Sequence, residues 1–571
     1  MKGISSVLLS VFASLQLWAQ NVYYVSTTGN DANDGKTLST AWRTIQKAAN
    51  TAGAGSTIYI RGGTYNERIS INKSGNATKG YITYMPYQGE HVIVDATGKT
   101  GNSDNVFYLY NRSYIRIIGL EIRNNTVPAN KDGAGIFIEG KGSYLEIRKC
   151  TIHHMLGTNA MAITVYGTNK KTAIQNLVID SNWVYNCEPA PSEAITLNGN
   201  VRLFQVTNNI VHDVNNIGID FIGGEGICPN AANDNARNGL CANNIVYRAR
   251  SNYGGGYAAG IYIDGGDSII VERNRIFECD LGLEVGCENA NNVSAYNIIR
   301  NNMIYNNDKR GLSVGGYNYP YTGKVEHCQF LNNTLYHNDV LNTGAGELFI
   351  EYANHCTVKQ NIIVGKGVSY LMNFYVTGTT GNQFNYNCYY TTSGTPKFIH
   401  NNIYYSSFSA YQNGSGQDAQ GMYAHPALVN PSAFDFHLLA SSPCIDAGDP
   451  SFVPSAGEKD FYGNNRVIGS RVDIGASEFG GSYRLAASGF SLTLYPSIVQ
   501  DVLRVTVHIS EPQSVMVFVT DVNGRKFHQE RRELFSGINE WSVSLASWPR
   551  GTYYFTVATA HHKTTHPFII P

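Results

Sequence analysis

GIYID (Gly260–Asp264) and GLEVG (Gly282–Gly286) are two copies of a five-residue phrase that decides the fold of this 571-residue chain. Five more copies keep the same register: GIFIE (Gly135–Glu139), AITVY (Ala162–Tyr166), AITLN (Ala194–Asn198), GIDFI (Gly218–Ile222) and GLSVG (Gly311–Gly315). In each, the second and fourth residues are aliphatic or Phe while the third and fifth vary. Side chains alternate between faces along a strand, so the second and fourth enter a core and the third and fifth face outward. Strands repeated in this way are rungs of a parallel β-helix, in which each coil buries its inner face only by stacking on its neighbours.

Working outward, a second ladder lies between the phrases. Asn followed by apolar residues recurs at Asn182, Asn209, Asn244, Asn274, Asn302, Asn333 and Asn361. The repeat of roughly 25–35 residues fits a coil of three short strands with variable loops. Asn accepts left-handed backbone and bonds locally, which suits a tight coil corner, and stacked Asn residues can satisfy one another's amides.

Bulk properties exclude several classes. The net charge is −1, with 42 Lys and Arg against 43 Asp and Glu, so bulk charge does not hold a nucleic acid. Asn, Gly, Thr and Tyr are abundant, as in exported β proteins that contact sugars. Residues 1–20 read as a signal peptide: Met1-Lys2, an apolar run from Ile4 to Trp18, then Ala19-Gln20. No later segment is apolar enough for a membrane span. All ten Cys lie between Cys150 and Cys444 with no zinc-type spacing. Cys228 and Cys241, which bracket the loop PNAANDNARNGL, are the one pair that suggests a disulfide. Burial as single thiols is the alternative.

The expected organisation is all-β. After the signal peptide come an N-terminal cap and first coils (21–110), the parallel β-helix (111–424), a closing segment (425–480) and a small antiparallel sandwich (488–571) after a Gly-Gly-Ser joint at Gly480–Ser482. A short cap helix is expected over Trp42–Ala49, behind a Ser39/Thr40 cap. The acidic turn Asn30–Gly35 is a turn or a calcium loop. In the closing segment, Asp446, Asp449 and Asp473 read as turn and capping residues.

The opening segment resembles that of secreted right-handed β-helix proteins acting on polysaccharides, and His425–Phe479 resembles their C-terminal closing segment. The region from Ser491, with Tyr495-Pro496, Asp521–Gly524 and WPRGTY (Trp548–Tyr553), resembles the C-terminal sorting domain of the type IX secretion system. It departs from that family at Ser497-Ile498, where Asn-Pro is usual, and at its Ile570-Pro571 end. A sugar-binding sandwich is the alternative. The resemblance implies export to the cell surface or medium, with the type IX machinery as partner.

The outward positions carry the chemistry. The third positions are Phe137, Thr164, Thr196, Asp220, Tyr262, Glu284 and Ser313, and the fifth include Glu139, Tyr166, Asn198 and Asp264. Asp264 and Glu284 stand one rung and two residues apart, so their Cα atoms should lie roughly 8 Å apart at ~4.8 Å per rung and ~3.3 Å per residue. Paired carboxylates suit glycoside cleavage: one ionised to face the anomeric carbon, the other protonated to release the leaving oxygen. GIYID followed by DLGLEVG resembles the catalytic rungs of β-helical glycoside hydrolases that include β-xylosidases and α-fucosidase-like enzymes. That resemblance implies Asp264 as nucleophile and Glu284 as acid/base. Asp220, Tyr262, Asn198, Glu225 and Glu288 surround them as candidate substrate contacts, with Glu193 weaker. Tyr253 and Tyr257, before GIYID, and Tyr317 and Tyr319, after GLSVG, are expected to wall a cleft by stacking on sugar rings.

Two other classes remain open. A polysaccharide lyase would need a cation or Arg to neutralise a uronate, plus a base. Asp220, Asp264 and Glu284 could then ligate calcium, the one cofactor left open, since the hydrolase reading needs no metal. Lys309, Arg310, Arg248 and Arg250 lie near coil corners, and no Lys or Arg occupies the outward positions. A non-catalytic glycan-binding surface protein would use the Tyr loops without adjoining acids.

Overall fold

A computed structural model describes residues 21–99, 104–480 and, within 490–570, all but 496–501, 510–512, 522–524, 535–536, 546 and 560–562. The expected signal peptide at 1–20 and most of the Gly480–Ser482 joint lie outside the described residues. Among the described residues, three sheets of 14, 13 and 13 strands run side by side up to Met422–Tyr423, parallel except for the last pair of the third, Phe398–His400 with Ile403–Tyr405. Gly142–Arg148, Thr151–Gly157 and Ala160–Gly167 form one coil, in the first, second and third sheet respectively. The interior is a continuous column of Ile, Val and Leu.

Six strands of the third sheet carry the site: β1 (Ile195–Gly199), β2 (Ile219–Ile222), β3 (Ala259–Asp264), β4 (Leu281–Gly286), β5 (Arg310–Val314) and β6 (Gly346–Ile350). They stack in that order in the sheet. The expected register holds residue for residue: Thr164, Thr196, Asp220, Tyr262, Glu284 and Ser313 are paired in succession.

The corner between first and second sheets is a two-residue turn, and its division of labour differs from expectation. The left-handed residue precedes the ladder Asn: Ser181, Asn208, Asn243, Arg273, Asn301, Asn332 and Gln360 have φ between 53° and 61°. The ladder Asn itself turns inward. From Asn182 through Asn209, Asn244, Asn274, Asn302, Asn333 and Asn361 to Asn387, each Nδ2 donates to the next Oδ1 at 2.9–3.0 Å. Each Oδ1 also accepts the backbone N–H of the preceding ladder residue, and each Nδ2 reaches a carbonyl one coil back, as with Asn209 to Ile179. Every amide atom is thus used in a dry corner, where an unmade bond would be costly.

The N-terminal helix is Ile45–Thr51, capped by Thr44, whose Oγ1 accepts the Lys47 N–H at 3.1 Å. This corrects the expected start at Trp42 and cap at Ser39/Thr40. Trp42 is held in a β-bridge to Val25, its N–H bonded to Tyr24 O. The carboxylates of Asp31 and Glu67 take the N–H groups of Arg43, Thr44, Ile45 and Gln46, which sets where the helix begins. In the acidic turn, Asp34 likewise accepts from Lys36 N and Thr40 Oγ1.

The closing segment takes an unexpected course. The last coil is covered by the helix Phe408–Ser415, with Tyr411 buried against Phe398. Residues 425–479 instead run back along the outer face of the second sheet, seating Leu428, Phe436, Leu438, Ile474 and Ala476 on Met303, Tyr305, Ile362 and Val364. Glu458 there meets Arg300 at 2.6 Å. Asp473 accepts from Asp446 N and Phe479 N, Asp446 accepts from Arg471 N, and Asp449 pairs with Lys359. All three act structurally, as expected.

That same outer face carries a column of rings. His153, Tyr185, His212, Tyr247, Phe277 and Tyr305 stack one above another at 4.6–5.4 Å, and Phe434 of the closing segment lies 4.7 Å from Tyr305. All ten cysteines are free and buried. The Cys228–Cys241 bridge does not form, because the two thiols have separate partners: Cys228 Sγ faces Asn169 O, while Cys241 lies in the apolar column against Asn244. The described residues of 490–570 form antiparallel sheets of three and four strands over a shared core of Leu503, Val505, Val517, Val519 and Phe555. Among the described residues no helix is long and apolar enough to cross a membrane.

Replacing Asn274 with Ala removes a ladder member with neighbours on both sides. It should lower the unfolding free energy by at least about 2 kcal/mol, since buried donors and acceptors on both adjoining coils lose partners. Denaturant unfolding of the full chain measures this.

Candidate active site

Strict alternation along the phrases fails at one point, and that failure builds the site. In β3 and β4, Ala259 pairs with Leu281 and Ile261 with Leu283, so the Gly between takes up an extra step. That Gly faces inward: a Cβ on Gly282 would lie 2.4 Å from both Gly311 O and Ile304 Cγ2, and one on Gly260 would lie 2.5 Å from Ile276 Cγ2. The residue before it is therefore turned to the outer face. Ala134 and Met161 join Phe137 in one apolar cluster outside the main column, and Ala259 and Leu281 join Tyr262 in another. In two coils this file carries charge instead, as Glu193 and Arg310.

Glu193 and Arg310 use the same local geometry. Thr196 Oγ1, three residues on, donates to Glu193 Oε2 at 2.8 Å, and Arg310 Nη1 donates to Ser313 Oγ at 3.0 Å. Ser313 Oγ in turn donates to Glu284 Oε1 at 3.2 Å. The Arg310 guanidinium lies 3.6 Å over the Phe349 ring. The third and fifth positions carry no Lys or Arg, as read from the sequence, yet Arg310 reaches the outward face from the position before its phrase. Alternation counted back from Ser313 would have sent Arg310 elsewhere; the inward Gly311 reverses it. Arg248 and Arg250 are engaged at the other corner, with Asp213 and Asp308.

The acids expected from the sequence are brought together. Asp264 is buried, and its Oδ1 accepts the Glu288 N–H at 2.6 Å. Burial, then the Glu288 carboxylate, push its pKa well above the usual range. Glu284 is pushed up to about 7 by burial, against the opposing pull of Arg310. Asp220 accepts the Phe221 N–H at 2.6 Å and is raised by burial, then by Glu193 and Asp264. Glu193 is raised to about 8 by burial, with Glu225 and Glu288 adding to it. Glu288 is raised by burial and by Glu225. Asn198 Nδ2 donates to Glu225 Oε2 at 2.6 Å. The buried Tyr262 hydroxyl reaches Glu288 Oε1 at 3.5 Å, and burial together with the Asp264 and Glu284 carboxylates raises its pKa well above normal.

The tyrosine loops divide. Tyr253 and Tyr257 are about half exposed (47% and 54%) at the approach to β3. Tyr253 Oη reaches Pro191 O at 3.4 Å and feels the Glu193 charge, while the Tyr257 ring carries Lys309 Nζ at 3.7 Å. Tyr253 thus borders the acids, and Tyr257 lies by Lys309 and Arg310. Tyr319 leans on Tyr352 and Tyr317 is exposed, and no hydrogen bond joins either to the acids among the described residues. Nor does any group of three or more His, Cys, Asp or Glu among the described residues have the arrangement of a metal site.

Comparison with known proteins places the chain. It is 32% identical over 434 residues to YwoF of Bacillus subtilis, covering 74% of this chain and 91% of that protein. The chain belongs to the YwoF family. Residues 23–201 match the Pel9A-like, right handed beta helix region, and residues 493–571 match the secretion system C-terminal sorting domain. Over 114 residues the chain is 37% identical to pectate lyase PEL9 of Emericella nidulans, covering 18% of this chain and 27% of that one. The solved structure of pectate lyase Pel9A aligns with a TM-score of 0.44 at 14% identity, over 80% of this chain and 96% of that one. The protein has the right-handed β-helix fold of carbohydrate-active enzymes. Its type IX sorting domain makes it a secreted or cell-surface protein.

The raised carboxyls make stability depend on pH with a defined sign. Glu284 and Glu193 keep their protons in the fold after the unfolded chain has lost them, so stability falls as pH rises from about 4.5, the ordinary glutamate value, towards 8. The melting temperature of the full chain should be higher at pH 5 than at pH 8, and Glu193→Gln should narrow that gap. A wild-type melting temperature that rises over this window would contradict the assignment.

Proposed function

We propose that the protein is a glycoside hydrolase acting on plant or algal poly- or oligosaccharide, with Asp264 as nucleophile and Glu284 as acid/base. The observation that carries this reading is the placement of the two carboxyls. They come from adjoining rungs of one outer face, their Cα atoms roughly 8 Å apart by strand geometry, in surroundings that differ. Glu284 has Ser313 and Arg310 on one side, and its proton is held to near neutrality, as a general acid requires. Asp264 is fixed by a backbone N–H that stabilises its anion. For the nucleophilic step Asp264 must first release to solvent the proton that burial and the Glu288 carboxylate favour, with the Glu288 N–H bond supporting the anion. In the first half of the reaction Glu284 gives its proton to the leaving oxygen; in the second it takes one from water.

Tyr253 and Tyr257 supply aromatic surface beside these groups, and Tyr262 holds Glu288. Asn198 and Glu225, already bonded to each other, present polar atoms to sugar hydroxyls. Tyr317 and Tyr319 would meet sugar units farther along the helix.

A lyase is the second reading, favoured by the similarity to PEL9 and by Arg310 on the outer face. The base it requires is poorly supplied. Tyr262 is pushed away from ionisation, and Arg310 is engaged with Ser313 and Phe349. A lyase would release products absorbing near 235 nm; a hydrolase releases reducing ends without that band.

Glu284→Gln should cost about 10²–10⁴-fold in kcat on a natural glycan but spare aryl glycosides with good leaving groups, because general acid catalysis is worth that much. Asp264→Asn should abolish turnover of both. In the wild-type enzyme the rate on natural glycan should fall above about pH 7, where Glu284 loses its proton, and this limb should vanish in Glu284→Gln with activated substrate. Normal turnover of a natural glycan by either variant would overturn the roles.

A further inference from the structure

We propose that the acidic group of Glu193, Asp220, Glu225, Asp264 and Glu288, together with Asn198, binds a protonated amine of the substrate, so that the glycan cleaved contains an amino sugar rather than a uronic acid. This inference rests on the glycosidase reading of the same site and names its substrate class.

Three observations converge on it. The first is charge. Five carboxyls face one another, and no ion pair among the described residues includes any of them. The Arg310 guanidinium is turned to Ser313 and Phe349 on the Glu284 side. A uronate would bring a further anion into this group, whereas a cation would relieve the repulsion that adds to burial in raising Glu193, Asp220, Asp264 and Glu288.

The second is an orphaned acceptor. Asn198 is 1% exposed, and its Oδ1 has no hydrogen-bond partner while its Nδ2 is used by Glu225. A buried amide oxygen without a donor is costly, so Asn198 Oδ1 is open to a donor brought by a ligand. An ammonium group offers three donors and one positive charge and no acceptor, which complements a wall of carboxylates and an amide oxygen.

The third is spacing. The acids come from β2, β3 and the segments flanking β1, β2 and β4, and no three of them converge as metal ligands do. Oxygens contributed from separate rungs and loops suit a ring-borne ammonium, whose three N–H bonds diverge, better than a single coordinated ion. Tyr253, beside Glu193, adds an aromatic edge at which the sugar ring could rest.

The test uses the full-length Glu284→Gln protein, which binds without cleaving, and three probes of equal length: a glucosamine trimer, its N-acetylated counterpart and a galacturonic acid trimer. Calorimetric titration at pH 6 should show the glucosamine trimer binding at least about tenfold more tightly than the N-acetylated one, the worth of a charge-assisted hydrogen bond. Glu193→Gln and Glu225→Gln, each added to this background and checked for folding by circular dichroism, should each shrink that preference. Equal affinity for the two glucosamine trimers, tighter binding of the galacturonic acid trimer with or without calcium, or no binding of any probe would overturn the proposal. Turnover of neutral aryl glycosides by the wild-type enzyme tests the hydrolase reading separately, so the two can fail independently.

Discussion

Parallel pairing in the third sheet, held in register coil after coil, is the constraint on which everything else depends. A slip of one residue in any rung would send Asp220, Tyr262 and Glu284 inward and their apolar neighbours to water. The register is pinned from two sides. From Asn182 to Asn387 the Asn ladder fixes where each coil enters the second sheet, bonding one corner amide to the next. The inward Gly135, Gly260 and Gly282 then allow the close approach seen between the third sheet and Ile152, Ile276 and Ile304 of the second. Chemistry on the outer face thus inherits its geometry from a core that contains no catalytic atom.

The price of gathering so many carboxyls is met by that rigidity. Glu193, Asp220, Asp264, Glu284 and Glu288 are all raised by burial and by one another, so the folded pocket holds protons that an open chain would release. A flexible loop would spread such charges apart. Here each is anchored: Asp220 and Asp264 by backbone N–H groups, Glu193 by Thr196, Glu284 by Ser313, and Glu288 by Tyr262. Strained protonation of this kind is a mark of sites prepared for a ligand.

Much of this was legible in the sequence, and the exceptions have physical causes. The phrase register placed Asp220, Tyr262, Asp264 and Glu284 on one face, because period-two alternation holds within each phrase. Glu193 ranked as a weaker candidate and Arg310 only as a residue near a coil corner, because alternation breaks at the first position. The signal was present: a small residue, Gly or Ala, opens all seven phrases, and the residue before it leaves the core. The corner Asn residues were read as left-handed, yet the turn places that burden one residue earlier, on Ser181, Asn208 or Arg273, and frees the next Asn to bond inward. Similarly, the cap helix starts at Ile45 because Asp31 and Glu67, remote in sequence, bind its first N–H groups. Local pattern could not show that the closing segment runs back along the second sheet, because its partners lie as much as 159 residues away.

The central claim is that Asp264 and Glu284 serve one glycosidic bond from adjoining rungs. A crystal structure of the Glu284→Gln protein with an uncleaved oligosaccharide tests it most directly. The account predicts a sugar spanning β3 and β4, its anomeric carbon against an Asp264 oxygen and its glycosidic oxygen in hydrogen-bonding reach of residue 284. A glycan seated on another face of the helix, or lying over these rungs with its linkage out of reach of both side chains, would contradict it.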